Sequence, residues 1–233
     1  SLRNAIPRES NAVVVIDAIS KEAFFFEMNE LINNISTEFK SIEPNLSIEI
    51  SKTDAPEKVM EIGVQEGFLK SIYAALNGVY RMSPDIKDLV ETSNNIAKVV
   101  VKDGKISVNC LTRSSSETNK IDLANSIRSA FELSGFEVNF SGEYPGWVPN
   151  IDSAILKILD TLYEKLHSEK AKIAACHAGL ECGILGQNYP KMDMVSFGPT
   201  ILGAHSPDER TSISSTQKFW KFLLEILKNI PKK

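Results

Sequence analysis

Two stretches toward the carboxyl end of this chain hold the side chains best suited to chemistry. In the first, His177 opens the run HAGLECG, four residues before Glu181. Imidazole and carboxylate at that spacing share one helical face and can hold a metal ion. The commoner outcome is a hydrogen-bonded pair at a helix start. In the second, MDMVSFGPTILGAHSPDER runs from Met192 to Arg210. The apolar run ending at Phe197 reads as a strand, which Gly198-Pro199 ends. A glycine-bearing loop then delivers His205 before a Ser-Pro-Asp-Glu turn. A histidine there lies where open α/β sheets place their ligands. It suits a metal ligand or an acid–base group; the plainer reading is a surface histidine in a turn. His167 falls near the end of an exposed-looking helix and reads as structural, a cation suited to the helix dipole.

No complete catalytic set follows from spacing. The chain has no HExxH, GxSxG or GxxxxGK[ST] run. A catalytic zinc takes about three protein ligands, and a two-metal site needs more, with a bridging carboxylate among them. Three histidines spread along the chain do not furnish one. The cysteines are Cys110, Cys176 and Cys182, an odd, sparse set that suits a reducing cytosol better than a disulfide scaffold. Cys176 beside His177 could suggest a thiol nucleophile. Neighbours along an extended strand point to opposite faces, however, so small core residues are the default. Arg113 ends a run in which Ile106, Val108 and Cys110 alternate with Ser107 and Asn109. That places Arg113 on the more polar face of a sheet. A guanidinium there could grip a carboxylate through two parallel hydrogen bonds. Periodicity alone favours a solvated surface arginine.

The elements that must position these residues divide into two parts. In the first, Ala12 to Ile16 and the alternating Leu46, Ile48 and Ile50 read as strands. A helix capped by Ser20 and carried by Phe24, Met28, Leu31 and Ile35 separates them. A second helix starts at Asp54 and Pro56 and stops at Asn77-Gly78. Lys98 to Val101, Asp103-Gly104 and Lys105 to Arg113 form a hairpin. A third helix runs from about Asn119 to Ser134 and stops at Gly135; Phe136, Val138 and Phe140 form a last strand. This order suits an α+β sandwich, a sheet with helices on one face. The Pro- and Gly-broken run from Glu143 to Pro149 marks a boundary. Beyond it come a helix over Ile155 to Leu166, a short strand over Ile173 to Ala175, a short helix after His177, the strand ending at Phe197, and a helix from about Ser214 to Ile230, ended by Pro231. Alternating helices and short apolar strands point to a parallel α/β sheet. Two strands are too few for one, so this part reads as a piece of a larger domain.

Composition is that of an ordinary soluble globular protein, 42% hydrophobic and 24% charged with a net charge of −4. Interspersed charges give no basic stripe for nucleic acid. No apolar run approaches the ~18 residues of a membrane span. The start, Ser1-Leu-Arg-Asn-Ala-Ile-Pro, lacks the apolar region of a signal peptide and reads as an internal segment of a longer protein.

Over nearly its whole length the chain resembles the carboxyl-terminal half of bacterial aminoacyl-histidine dipeptidases, also called cytosol nonspecific or Xaa-His dipeptidases, within the clan of co-catalytic zinc aminoacylases, carboxypeptidases and carnosinases. The matching runs are LRNAIPRE from Leu2, NGV from Asn77, VETS from Val90, CLTRS from Cys110, YPGW from Tyr144, HAGLECG from His177 and Met192 through Glu209. The resemblance implies that residues 1–145 are most of a lid domain inserted into the catalytic domain, and that residues 146–233 are the closing part of that zinc-binding domain. It implies that His205 is a zinc ligand, that Asn4 and Arg113 hold the substrate backbone and carboxylate, and that Gly179 lines the substrate site. His177 and Glu181 share a motif without an assigned role. It further implies two zinc ions per site, a dipeptide substrate such as β-Ala-His, a zinc-activated hydroxide, a homodimer and a cytoplasmic location. The general base and remaining ligands of that family are not among these residues, so the chain by itself is expected to be inactive. The competing expectations are a non-catalytic α+β self-association module and, more remotely, a cysteine hydrolase.

Overall fold

A computed structural model describes residues 3–175, 181–204 and 206–230. The chain forms two compact units, one of residues 8–65 and one of residues 1–7 with 66–233. The smaller unit is built on α1 (Lys21–Phe39), preceded by a single 3-10 turn (Ala18–Ser20). The chain passes to the larger unit inside α2 (Ile62–Ala74).

The larger unit holds an antiparallel sheet of β1 (Gly78–Met82), β2 (Val90–Lys102) and β3 (Lys105–Ser114), in that order. The expected hairpin is its centre. Asp103 and Gly104 both take positive φ, 53° and 71°, as a tight two-residue hairpin turn requires. From Thr92↔Ser114 to Ile96↔Cys110 the ladder is regular; Lys98 then faces Asn109, so Ala97 is an extra bulged residue. The Asn77 side-chain oxygen accepts the Ile96 N–H at 2.8 Å, pairing the backbone beside the bulge.

Regular pairing sorts side chains onto two faces. Ile96, Val108 and Cys110 point to α3 (Glu117–Glu132) and to the end of α2, where Ala75, Leu123, Ile127 and Phe131 form the buried core. The expected α+β arrangement, with helices on one face of a sheet, is therefore present. Gly135, with φ 81°, turns the chain at the end of α3. The Phe136 N–H then bonds back to Phe131 O, and the two rings meet edge-on, the usual way a glycine stop is secured.

A second core joins α4 (Ala154–His167) to α6 (Ile213–Lys228) through Leu159, Leu162 and Phe222. Ser153 and Ser212 cap these helices by accepting Leu156 N–H and Ser215 N–H. Between them lie α5 (Glu181–Asn188) and a minimal hairpin of β4 (Ile201–Leu202) and β5 (Arg210–Thr211).

Several expected elements differ. Residues 12–16, 46–50, 136–140, 173–175 and 192–197 are not strands, and among the described residues no parallel pairing occurs. Their side chains have the right pattern, yet a strand exists only when a neighbour completes its ladder. Thus Val195 packs on the second core and Phe197 stacks against Phe219 and Phe222, without a ladder partner among the described residues. The second helix begins at Ile62, not at Asp54, and ends before Asn77-Gly78. β1 and the first half of β2 form where no strand was expected. Pro231 lies outside the described residues.

Leu123 is fully buried at the centre of the sheet–helix core. Leu123→Ala is expected to lower unfolding free energy by about 2–5 kcal/mol, read from the urea midpoint at unchanged slope.

Candidate functional site

The carboxyl end of β3 is where the described candidate residues gather. Arg113 pairs with Ser93 and Leu111 with Asn95. These four residues face away from α3, as the alternation predicted for Arg113. The arginine is not freely solvated, however. It is half-buried, and its Nε is buried without a hydrogen-bond partner among the described residues. A buried guanidinium N–H normally has an acceptor, and leaving it unpaired costs desolvation energy.

Asn4 lies exposed in a turn at residues 3–5. The Asn95 side chain donates from Nδ2 to Arg3 O at 3.2 Å and to Ala5 O at 2.9 Å, bracketing Asn4. The Arg3 guanidinium also reaches Ser141 Oγ at 3.3 Å. Asn4 and Arg113, far apart in sequence, are therefore carried by one face of one sheet.

Two glycines bring other motifs to this place. A Cβ on Gly146 would sit 2.5 Å from Ser114 O and 2.8 Å from Ser115 O. One on Gly183 would sit 2.5 Å from Pro145 O and 3.2 Å from Gly146 O. The end of β3, the YPGW run and the start of α5 thus stack backbone on backbone, an approach only glycine permits. A cleft of ≈ 500 Å³ runs beside this stack, lined in part by Ser115, Trp147, Cys182 and Met194. The larger cavity, ≈ 710 Å³, has an apolar floor of Val108, Ile127 and Phe131 and a polar wall that includes Arg3, Lys120 and Glu143.

Glu181 is exposed at the first position of α5, where a carboxylate suits the helix dipole. Cys176, His177, Gly179 and His205 lie outside the described residues. Ser206 donates both its N–H and its Oγ to Gly203 O. Among the described residues no group of three metal-ligating side chains converges. The described donors alone do not make up a two-metal centre. Burial pushes the Cys110 thiol up, which disfavours its nucleophilic form.

His167 is structural, though not as a dipole cation. Its ring lies 4.6 Å from that of Tyr163 and 6.4 Å from that of Phe222. Burial, and then the charges of Lys218 and Lys221, hold the imidazole below its ordinary pKa, against the pull of Glu169.

The peptidase family M20/M25/M40 model matches residues 20–229. This chain belongs to that family. It is 35% identical over 233 residues to the cytosol non-specific dipeptidase of Escherichia coli, covering 100% of this chain and 48% of the relative. The crystal structure of the aminoacylhistidine dipeptidase from Vibrio alginolyticus superposes with a TM-score of 0.86 at 39% identity, covering 100% of this chain and 48% of that one. The chain thus spans about half the length of these relatives. The family match runs through both the sheet and the second core, which does not favour a pure self-association module. Among the described residues no helix is long and apolar enough to cross a membrane.

Asn95 and the pair Gly146 and Gly183 were not singled out from sequence. Adjacent asparagines inside a β-rich run, and glycines inside two specific motifs, were the signals available.

Gly146→Ala forces a carbon against two backbone oxygens. It is expected to destabilise the chain by about 1–3 kcal/mol, measured by chemical denaturation. For His167 the unfolded chain takes up its proton near pH 6.5 and the folded chain only at lower pH. The unfolded state binds more protons in between, so stability falls as pH drops through that window. Unfolding free energies across pH 7 to 5 are expected to show this loss, and His167→Gln to flatten it.

Proposed function

We propose that the chain is the carboxyl-terminal half of a dipeptidase and supplies the groups that hold the dipeptide. Residues 1–145 then form most of a lid domain, and residues 146–233 close a catalytic domain. The observation that carries this reading is Arg113: a half-buried arginine whose buried Nε has no partner among the described residues, on the sheet face that also holds the Asn4 turn. A dipeptide's terminal carboxylate is the acceptor that matches such a donor. Asn4 would hold the substrate's backbone, and Gly179 would let it pass close to the chain.

His205 contributes one zinc ligand in this proposal, and the remaining ligands and the general base come from outside these residues. When bound, zinc would supply the activated water of hydrolysis. This chain's part is positioning, which gains rate by holding the reacting bond where the chemistry occurs. The 233 residues alone are inactive in this reading, and the full-length enzyme works as a cytosolic homodimer on dipeptides, Xaa-His among them.

Calorimetric zinc titration of this chain beside the full-length protein tests the proposal. The full-length protein is expected to bind about two zinc ions per chain and to cleave β-Ala-His, and His205→Ala to abolish both. In it, Arg113→Ala is expected to raise KM by about 30-fold or more, with much less effect on a dipeptide amide. Tight zinc binding and hydrolysis by the 233 residues alone would overturn the reading.

A further inference from the structure

We infer that Asn95 is a positioning residue: its side-chain amide clamps the turn at residues 3–5 and thereby fixes Asn4 over the sheet face that carries Arg113. The inference rests on the reading above, in which both residues hold the substrate.

The geometry leaves the amide little choice. Asn95 and Arg113 share a sheet face, because Asn95↔Leu111 and Ser93↔Arg113 belong to one regular stretch of ladder. Both groups that Asn95 meets are backbone carbonyls, at 3.2 and 2.9 Å. Only the NH2 of an asparagine can serve them, and it has two donors for two acceptors. The partners lie 92 and 90 residues away in sequence. Local structure does not bring them together; this clamp and the Arg3–Ser141 contact do. The acceptors flank Asn4 on both sides, so the clamp fixes the backbone of the one residue between them.

The sheet beneath is rigid enough to act as a reference. The opposite face of the same stretch is locked by Thr92 to Ser114, 2.8 Å, by Thr112 to Asn94, 3.1 Å, and by Asn94 to Leu76 O, 2.8 Å. Thr92, Asn94 and Ser114 are all buried. Asn95 therefore joins a short, mostly exposed turn to a buried, hydrogen-bonded ladder. Losing such a clamp costs precision in the bound substrate rather than the fold of the sheet.

Asn95→Asp keeps the shape and replaces both donors with an acceptor. In the full-length enzyme we expect it to raise KM for a dipeptide by about 10-fold, with kcat within about twofold and the thermal midpoint little changed. Hydrogen exchange of the peptide spanning residues 3–7 should quicken. Because Asn95 acts through Asn4, the double variant with Asn4→Ala should be little worse than Asn4→Ala alone. Unchanged KM in Asn95→Asp, or a penalty that adds in full to that of Asn4→Ala, overturns the inference while Arg113→Ala still raises KM. If Arg113→Ala and Asn4→Ala both leave KM unchanged, substrate holding by this face is wrong, and the role of Asn95 falls with it. Asn95→Ala serves as the second variant: faster exchange at residues 3–7 without a KM effect equally rules the clamp out as a positioning device.

Discussion

The architecture around the candidate site depends on three backbones lying closer than side chains allow. Ser114 and Ser115 at the end of β3, Pro145-Gly146, and the first turn of α5 are stacked with no layer of side chains between them. Two glycines without Cβ atoms make this possible. Arg113 sits one residue before the stack, and Glu181 and Cys182 immediately precede Gly183 within it. The sheet, the connecting segment and the motif-bearing helix thereby share one frame, and an error in any of the three would be passed to the others. Protein interiors transmit such displacements because they are close-packed.

The sheet itself is polar where a core strand would usually be apolar. Thr92, Asn94, Ser114 and Ser115 are buried; Thr92 and Ser114 bond each other, and Asn94 accepts from Thr112 and donates to the Leu76 carbonyl just past α2. At its border Glu91 accepts from Asn119 at 2.7 Å and pairs with Arg81 at 3.2 Å, linking β2 to α3 and β1. Satisfied buried networks of this kind specify one arrangement more sharply than apolar packing does. The apolar core further along the same strands supplies the cohesion, and the polar end supplies the register that puts Arg113 and Asn95 on one face.

What the sequence disclosed follows from how local each determinant is. The Asp103-Gly104 turn, the Gly135 stop and the presence of helices α3, α4 and α6 are written within a few residues, and each was legible; the residue at the centre of the α3 core, Leu123, was not. The assignment of Arg113 to the face away from the core was also legible, since alternation fixes it. Strands at 12–16, 46–50 and 192–197 were over-read because pattern cannot say whether a ladder partner is present. β1 was missed for the converse reason: Gly78 to Met82 is exposed throughout and carries no alternation, yet β2 offers it a partner. The buried polar ladder was invisible, as Thr, Asn and Ser at those positions look like surface residues. The clamp on the Asn4 turn depends on residues 90 and 92 apart in sequence, and no local pattern encodes it.

That separation has a consequence for biosynthesis. The β2–β3 hairpin closes through a two-residue turn and can form within microseconds of its emergence. The turn carrying Asn4 leaves the ribosome first and finds no anchor until Asn95 follows. At about 5–20 residues per second that interval lasts roughly 5 to 20 s, during which the turn is unanchored by this clamp. Its docking is thus a late event in the life of the nascent chain, reached only after the sheet that receives it has been made.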